Sequence, residues 1–463
     1  MSSGKFLKVI FVDIFSLVIG LITSFFIPKM FSIEEYSVFR TFGLYISFAG
    51  MLHLGFSDGL YVKYGGLRES DVNREQFKKY TSFFLVFISV GSLLIIGSSY
   101  LLIQNKIILY FAIYVLPYQI VLFFQMFYRA ISEFNRYVVI QSAINVMNLI
   151  CILFILFVAD NKQAENLIML QVGIYYLVAL YLVIKFIKGN RKVENSYSLK
   201  FEEIWKICST GFIIMVANTI SILLLSLDRW LIKLNFSYKV FAYYSFAVSI
   251  LTLVSVLIGS ITVILFPYFS RKRADYGLHQ RIKNYVLIGS SFVVTGFFIL
   301  KYILDQFLPE YSSALDYTFI LFLAIPYMSV INIVYSSLYK VQDKSQKYLR
   351  RTIEILIISL GLNVIALVIF KDATAITVST LISFIIWFIV SKRDFPFLVI
   401  KRGEAMYLLI NILIMIVIKN SNISSILSFM LAISLIVINS WLFYREIIMG
   451  LVNLYSKKSM KYL

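Results

Sequence analysis

Residues Val138 to Val158 read VVIQSAINVMNLICILFILFV, an uninterrupted run without a single charge. Wound as an α-helix at 1.5 Å per residue, such a run crosses a hydrocarbon core of roughly 30 Å. A strand of a membrane barrel would alternate apolar and polar residues over about ten positions, and this run does not. Apolar runs of similar length recur along the whole chain. The composition agrees, with 60% hydrophobic and 14% charged residues and a mean hydropathy of +0.85, against about 25% charged in a soluble domain. The expected fold is an all-α polytopic membrane protein.

The hydrophobic pattern predicts fourteen spans, at 8–28, 39–61, 80–103, 107–128, 137–158, 166–187, 204–227, 240–267, 284–307, 315–338, 353–370, 373–391, 404–418 and 423–444. The charge distribution checks that count, because a missed or invented span would scramble the bias between the two sides. All but ten of the 43 Lys and Arg residues fall at the N-terminus, in even-numbered connections or in the C-terminal tail. Basic connections face the cytoplasm, so loops such as Arg271-Lys272-Arg273 and both termini are expected there. A net charge of +19 is thus an orientation signal rather than a nucleic-acid-binding one. The first run lacks a small-residue cleavage pattern before Pro28 and reads as a retained span.

Enzyme signatures are not found. His53 and His279 are the two histidines, and neither a metal-ligand cluster nor a Walker-type phosphate loop accompanies them. Cys151 and Cys208 suggest no disulfide or metal framework. The reading is a non-enzyme with no cofactor, whose site must be built from the spans themselves.

An internal repeat organises the spans. The stretch from Phe31 to Phe39 before span 2 aligns with Phe236 to Tyr244 before span 8. Leu116-Pro117-Tyr118 aligns with Ile325-Pro326-Tyr327, and Tyr128-Arg129 with Tyr339-Lys340. Offsets of 205, 209 and 211 imply that spans 1–6 and 7–12 are parallel copies. The expected division is an N-lobe at 1–190, a C-lobe at 191–402 and additional spans 13 and 14 with the tail at 403–463. Pro117 and Pro326 are expected to bend their helices.

Polar residues form stripes at ~100° per residue. They comprise Asp13, Ser16, Gly20, Thr23 and Ser24 on span 1, and Arg40, Gly43, Ser47, Gly50, His53, Ser57 and Asp58 on span 2. On span 7 they are Thr210, Gly211, Asn218, Ser221, Asp228 and Arg229, and on span 8 Ser245, Ser249, Thr252, Ser255, Gly259 and Thr262. Small polar residues also let membrane helices pack closely. Four stripes on equivalent spans, carrying charges that normally face a bundle interior or water, favour a shared polar lumen. Arg40, Arg229, Ser47 and Asn218 are then candidate substrate contacts. Asp13, Asp58, Asp228 and His53 are candidates for coupling an ion gradient. Asp228 and Arg229 can also pair with each other, and Arg129 and Glu133 are expected to pair at i,i+4.

The run Phe31 to Gly59, the segment Ser226-Leu-Asp-Arg-Trp-Leu-Ile, Phe241-Ala-Tyr-Tyr-Ser and Pro267-Tyr-Phe-Ser-Arg resemble the Wzx-type flippases of O-antigen and capsule repeat units. These belong to the multidrug/oligosaccharidyl-lipid/polysaccharide exporter superfamily, and the resemblance covers about residues 5 to 350. It implies two six-helix lobes facing each other as a V, with alternating access in a bacterial inner membrane. The implied cargo is an undecaprenyl-pyrophosphate-linked oligosaccharide, with Arg40 and Arg229 meeting the pyrophosphate from opposite walls. A polysaccharide polymerase and glycosyltransferases would be its partners, besides membrane lipids. Three other functions fit the same pattern. A lipid II flippase would be expected to carry more basic residues deep in spans 1, 2 and 8. A drug/cation antiporter would suit Asp13 and Asp58 but would not need Arg40. A non-transporting scaffold would need no lumen.

Overall fold

This computed structural model describes residues 3–157, 162–193, 197–398, 402–421 and 423–459. Among them the chain is built of α-helices joined by short turns, without a strand. The helices are α1 (Ser3–Met30), α2 (Ile33–Ile46), α3 (Phe56–Tyr64), α4 (Arg74–Ser98), α5 (Lys106–Ala130), α6 (Phe134–Phe157), α7 (Ala164–Gly189), α8 (Phe201–Asn235) and α9 (Tyr238–Arg271). They continue as α10 (Tyr276–Phe307), α11 (Ala314–Leu323), α12 (Ile325–Val330), α13 (Ser336–Val341), α14 (Ser345–Ile369), α15 (Ala373–Arg393), α16 (Arg402–Lys419) and α17 (Ser425–Ser459). Helix occupies each of the fourteen predicted spans. Among the described residues ten helices are by themselves long and apolar enough to cross a membrane, or eleven with the bent series α11–α13. The outward residues of α4, Val86, Val90, Leu93 and Leu94, are exposed, as they are when the solvent is lipid.

Local chemistry sets the helix starts. Ser32 Oγ accepts from the Glu35 N–H at 3.2 Å, Asn73 Oδ1 from Gln76 at 3.1 Å and Asp275 Oδ1 from Leu278 at 2.9 Å, each satisfying a donor that the first turn leaves free. The repeat is visible in the helix ends. After α5 the Glu133 N–H donates to Tyr128 O at 2.8 Å, with Ser132 at φ +60°. After α13 the Lys344 N–H donates to Tyr339 O at 2.8 Å, with Asp343 at φ +55°. These are the same Schellman turn displaced by 211 residues, the offset of the Tyr128-Arg129 and Tyr339-Lys340 match.

Two expectations need correction. Span 2 is not one helix: it breaks after Ile46 into a 3₁₀ turn, Ala49–His53, and resumes as α3. Pro117 lies inside α5 without interrupting it, and at Ile325-Pro326 the chain bends by 45° as expected. Arg129 and Glu133 do not share a helical face, because the turn at Ser132 intervenes. Arg129 Nε lies 3.4 Å from Gln125 O and its guanidinium sits 5.1 Å from the Tyr137 ring centroid instead.

Packing divides the chain into two compact units, Met1–Ser245 and Phe246–Leu463. The first is held by an aromatic core in which Phe77 stacks on Phe127 at 3.9 Å and Phe84 on Phe123 at 4.5 Å. The second has a comparable cluster, with Tyr335 stacked on Phe395 at 6.0 Å and Tyr339 edge-on to it at 4.7 Å. Asp394, just beyond α15, pins that end of the unit. Arg351 reaches it with Nε at 2.9 Å and Nη2 at 3.0 Å, Lys347 at 2.8 Å and the Tyr339 hydroxyl at 2.6 Å. Burial alone would raise the Asp394 carboxyl, and these donors hold it well below the usual range.

Candidate functional site

The break in span 2 is where the first unit concentrates ionisable groups. Leu54 and Gly55 both take positive φ, +48° and +83°, which ends the 3₁₀ turn and aims the chain into α3. The Gly55 N–H donates to His53 Nδ1 at 3.0 Å, so the neutral ring carries its proton on Nε2. That nitrogen faces Asp58 Oδ2 at 3.5 Å, with both side chains buried. Asp58 lies in the first turn of α3, where the helix dipole favours a negative charge. The broken backbone is also supplied with a donor, since Gln119 Nε2 of α5 reaches Ala49 O at 2.5 Å. Irregular backbone at membrane depth is tolerated where protein groups satisfy it in this way.

Glycine explains how α3 is seated. Gly55 and Gly59, spaced as GxxxG, meet Gly211 of α8 backbone to backbone. A Cβ on any of the three would run into main-chain atoms of the opposite helix. Gly211 thus belongs to a helix crossing rather than to a lumen-lining stripe. Close approach of this kind is what small residues provide in membranes, where no hydrophobic force separates helix from lipid.

Tyr45 of α2 and Phe48 just beyond it pack against Trp230 of α8, with ring centroids at 5.4 and 6.0 Å. This brings Arg40 and Arg229 onto adjoining helices and not onto opposite walls. Arg40 Nε donates to the Tyr36 hydroxyl at 2.7 Å. The Asp228 carboxylate is engaged by the Tyr244 hydroxyl and, at 2.7 Å, by the Arg229 backbone N–H. Arg229 Nε is buried without a hydrogen-bond partner. Among the described residues neither guanidinium is in a salt bridge. Ser47, at the end of α2, donates to Leu44 O at 2.6 Å, and Asn218 is exposed on α8. Asp13 lies on α1 with its side chain outside the described residues.

A polar relay across α5, α6 and α1 was not anticipated. Gln125 Nε2 donates to Gln141 Oε1 at 3.0 Å, Gln141 Nε2 to Asn145 Oδ1 at 3.2 Å, and Asn145 Nδ2 to Ser16 Oγ at 2.6 Å. Its signal lies within the run Val138 to Val158, where Gln141 and Asn145 are amides spaced i,i+4 among apolar residues. By contrast, the span 8 stripe is largely self-satisfied. The hydroxyls of Ser249, Thr252, Ser255 and Thr262 donate to carbonyls three or four residues back in α9, so they need no lumen to be paired.

The second unit holds a different buried pair. Lys283 Nζ of α10 lies 3.0 and 2.8 Å from the two carboxylate oxygens of Glu404 on α16, and both side chains are almost wholly buried. Asn439 of α17 donates to Asn411 Oδ1 of α16 at 2.8 Å, and Asn411 to Ser291 Oγ of α10 at 3.3 Å. The last two spans are therefore keyed to α10 by polar side chains.

No protein-family model matches the sequence, and no curated protein matches it. Solved structures do. A lipid II flippase, MurJ, in an inward closed conformation superposes with a TM-score of 0.67 at 14% identity, covering 95% of this chain and 99% of that one. An inward-facing multidrug-resistance MATE transporter of the MOP superfamily gives 0.58 at 12% identity, with coverages of 82% and 95%. The MATE multidrug transporter DinF-BH gives 0.54 at 18%, with coverages of 85% and 95%. This chain is a multi-pass membrane protein with the all-helical fold shared by a lipid flippase and multidrug transporters.

Proposed function

We propose that the protein is a flippase that moves an undecaprenyl-pyrophosphate-linked oligosaccharide from the cytoplasmic to the outer leaflet of a bacterial inner membrane by alternating access. The observation that carries this reading is the placement of Arg40 and Arg229 on adjoining helices with neither guanidinium in a salt bridge among the described residues. One of their nitrogens is buried and unsatisfied. Two half-buried like charges on adjoining helices are better accommodated once an anion joins them. A pyrophosphate fits that need and the fork geometry of guanidinium. A diphosphate cannot enter hydrocarbon alone, since even one ionised side chain there costs at least ~2.5–3.5 kcal/mol. Outward movement of the anion also gains roughly 2.3 kcal/mol per charge per 100 mV of membrane potential, negative inside. The resemblance of the span 2 and span 7 segments to repeat-unit flippases supports the oligosaccharide cargo, with a polymerase and glycosyltransferases as working partners. The structural neighbour named for lipid II makes that molecule the competing cargo.

Binding of undecaprenyl pyrophosphate to the purified protein tests the anion site. Arg40→Ala and Arg229→Ala should each weaken it about tenfold or more, the loss of a charge-assisted hydrogen bond of ~1.5–3 kcal/mol. Lys at either position should weaken it less. Equal affinities across this series would refute the assignment. A parallel titration with lipid II distinguishes the two cargoes by which binds more tightly.

His53 and Asp58 supply a second element, a buried pair at a helix break that can take up or release a cation during the cycle. Asp58→Asn is expected to leave cargo binding intact while removing the dependence of transport on an imposed ion gradient. Unchanged gradient dependence would exclude Asp58 from coupling.

A further inference from the structure

At one end of the first unit, α4, α5 and α7 enclose a pocket of about 950 Å³ including its open mouth. Its floor is aromatic: Phe77 stacks on Phe127 and stands edge-on to Phe186 at 6.2 Å. Its rim is basic, formed by Arg74, Arg136 and Lys185 with Glu69 as the single acid. Arg136 spends its charge on Glu69, Nη2 to Oε1 at 2.9 Å. Arg74 and Lys185 have no acidic salt-bridge partner among the described residues, and both are exposed. The pocket therefore keeps two uncompensated cations above an apolar floor.

Its level in the membrane follows from the helices that make it. Arg74 opens α4 and Gly189 closes α7, so the rim stands at a membrane boundary, on the side where the Lys/Arg-rich connections gather. Lys185 lies over the ring of Tyr181, 5.6 Å from its centroid. Tyr181 and Leu177, one and two turns further into the membrane on the same side of α7, are exposed apolar surface running away from the rim. Cations at the boundary and an apolar strip leading into the membrane match the two halves of one molecule, a phosphate headgroup and its acyl chains. Basic pockets between membrane helices on the cytoplasmic side recognise anionic headgroups in this manner.

We propose that this pocket binds an anionic phospholipid of the surrounding leaflet, with Arg74 and Lys185 on the phosphate and the chains along Tyr181 and Leu177. This site is separate from Arg40 and Arg229 and does not depend on what cargo they take.

The test is native mass spectrometry of the detergent-purified full chain titrated with phosphatidylglycerol and, separately, with phosphatidylcholine bearing the same chains. Phosphatidylglycerol should bind in preference. Arg74→Gln/Lys185→Gln should weaken it about tenfold or more, at roughly 1 kcal/mol per basic residue near the surface, and leave phosphatidylcholine unchanged. Arg271→Gln/Lys272→Gln, which removes the same charge from a basic loop of the second unit, should have no effect. An excess of inorganic phosphate should not displace the lipid. Three outcomes would overturn the proposal: parental affinity in the pocket variant, an equal loss in the loop variant, or displacement by free phosphate, which would mark an anion site indifferent to lipid.

Discussion

Gly211→Ala is expected to destabilise the protein severely although it adds one methyl group. The added Cβ would meet the Gly55 carbonyl and the Gly59 amide nitrogen, and backbone in a seated helix cannot rotate aside as a side chain can. Overpacking ordinarily costs ~1–3 kcal/mol where neighbours give way, and here the cost should exceed that range because α3 must leave α8. The consequence reaches the candidate site, since α3 carries Asp58. Gly43 is the internal comparison. It lies on the same predicted polar face of span 2, yet a Cβ there meets nothing within 4 Å. Gly43→Ala should be neutral or stabilise by ~0.4–1 kcal/mol through the unfolded chain. Thermal unfolding in detergent with size-exclusion monodispersity measures both. A Gly211→Ala protein that unfolds at the parental temperature would mean the two helices do not cross there.

Glu404→Ala should be the second large effect. It strands the Lys283 ammonium, wholly buried, without the carboxylate that balances it, with Lys392 repelling it from nearby. Breaking a buried pair from one side typically costs ~3–5 kcal/mol, whereas replacing both partners with apolar residues is often neutral or stabilising. The double variant Lys283→Met/Glu404→Leu should therefore regain most of the unfolding temperature that Glu404→Ala loses. Equal losses in the single and double variants would show that the stranded ammonium is not what costs stability.

These two cases mark what could be read from the sequence. The spans were legible because uncharged runs of about twenty residues have few solutions in lipid. The repeat was legible because Tyr128-Arg129 and Tyr339-Lys340 precede the same turn. The break in span 2 was not, because apolar content persists through Met51, Leu52 and Leu54 and a hydropathy pattern is blind to backbone φ. Gly55-Phe-Ser-Asp-Gly59 did carry the spacing of a close helix crossing. Its partner Gly211 was assigned to a polar stripe, because periodicity identifies a face of a helix and not what lies against it. For the same reason the pattern did not show Arg40 and Arg229 to be on adjoining helices. Lys283 with Glu404 was illegible, since two charges 121 residues apart on separate spans leave no local pattern.

The central claim is that this chain moves a lipid-linked oligosaccharide across a bilayer, and its most direct test is reconstitution. Proteoliposomes carrying a fluorescent undecaprenyl-pyrophosphate-linked oligosaccharide would be assayed for transfer of the label between leaflets by a membrane-impermeant quencher. Vesicles with the parental protein should exchange the label much faster than protein-free vesicles, and vesicles with Arg40→Ala/Arg229→Ala, reconstituted at equal density, should approach the protein-free rate. Parental protein indistinguishable from empty vesicles, or a double variant as fast as the parent, would contradict the account.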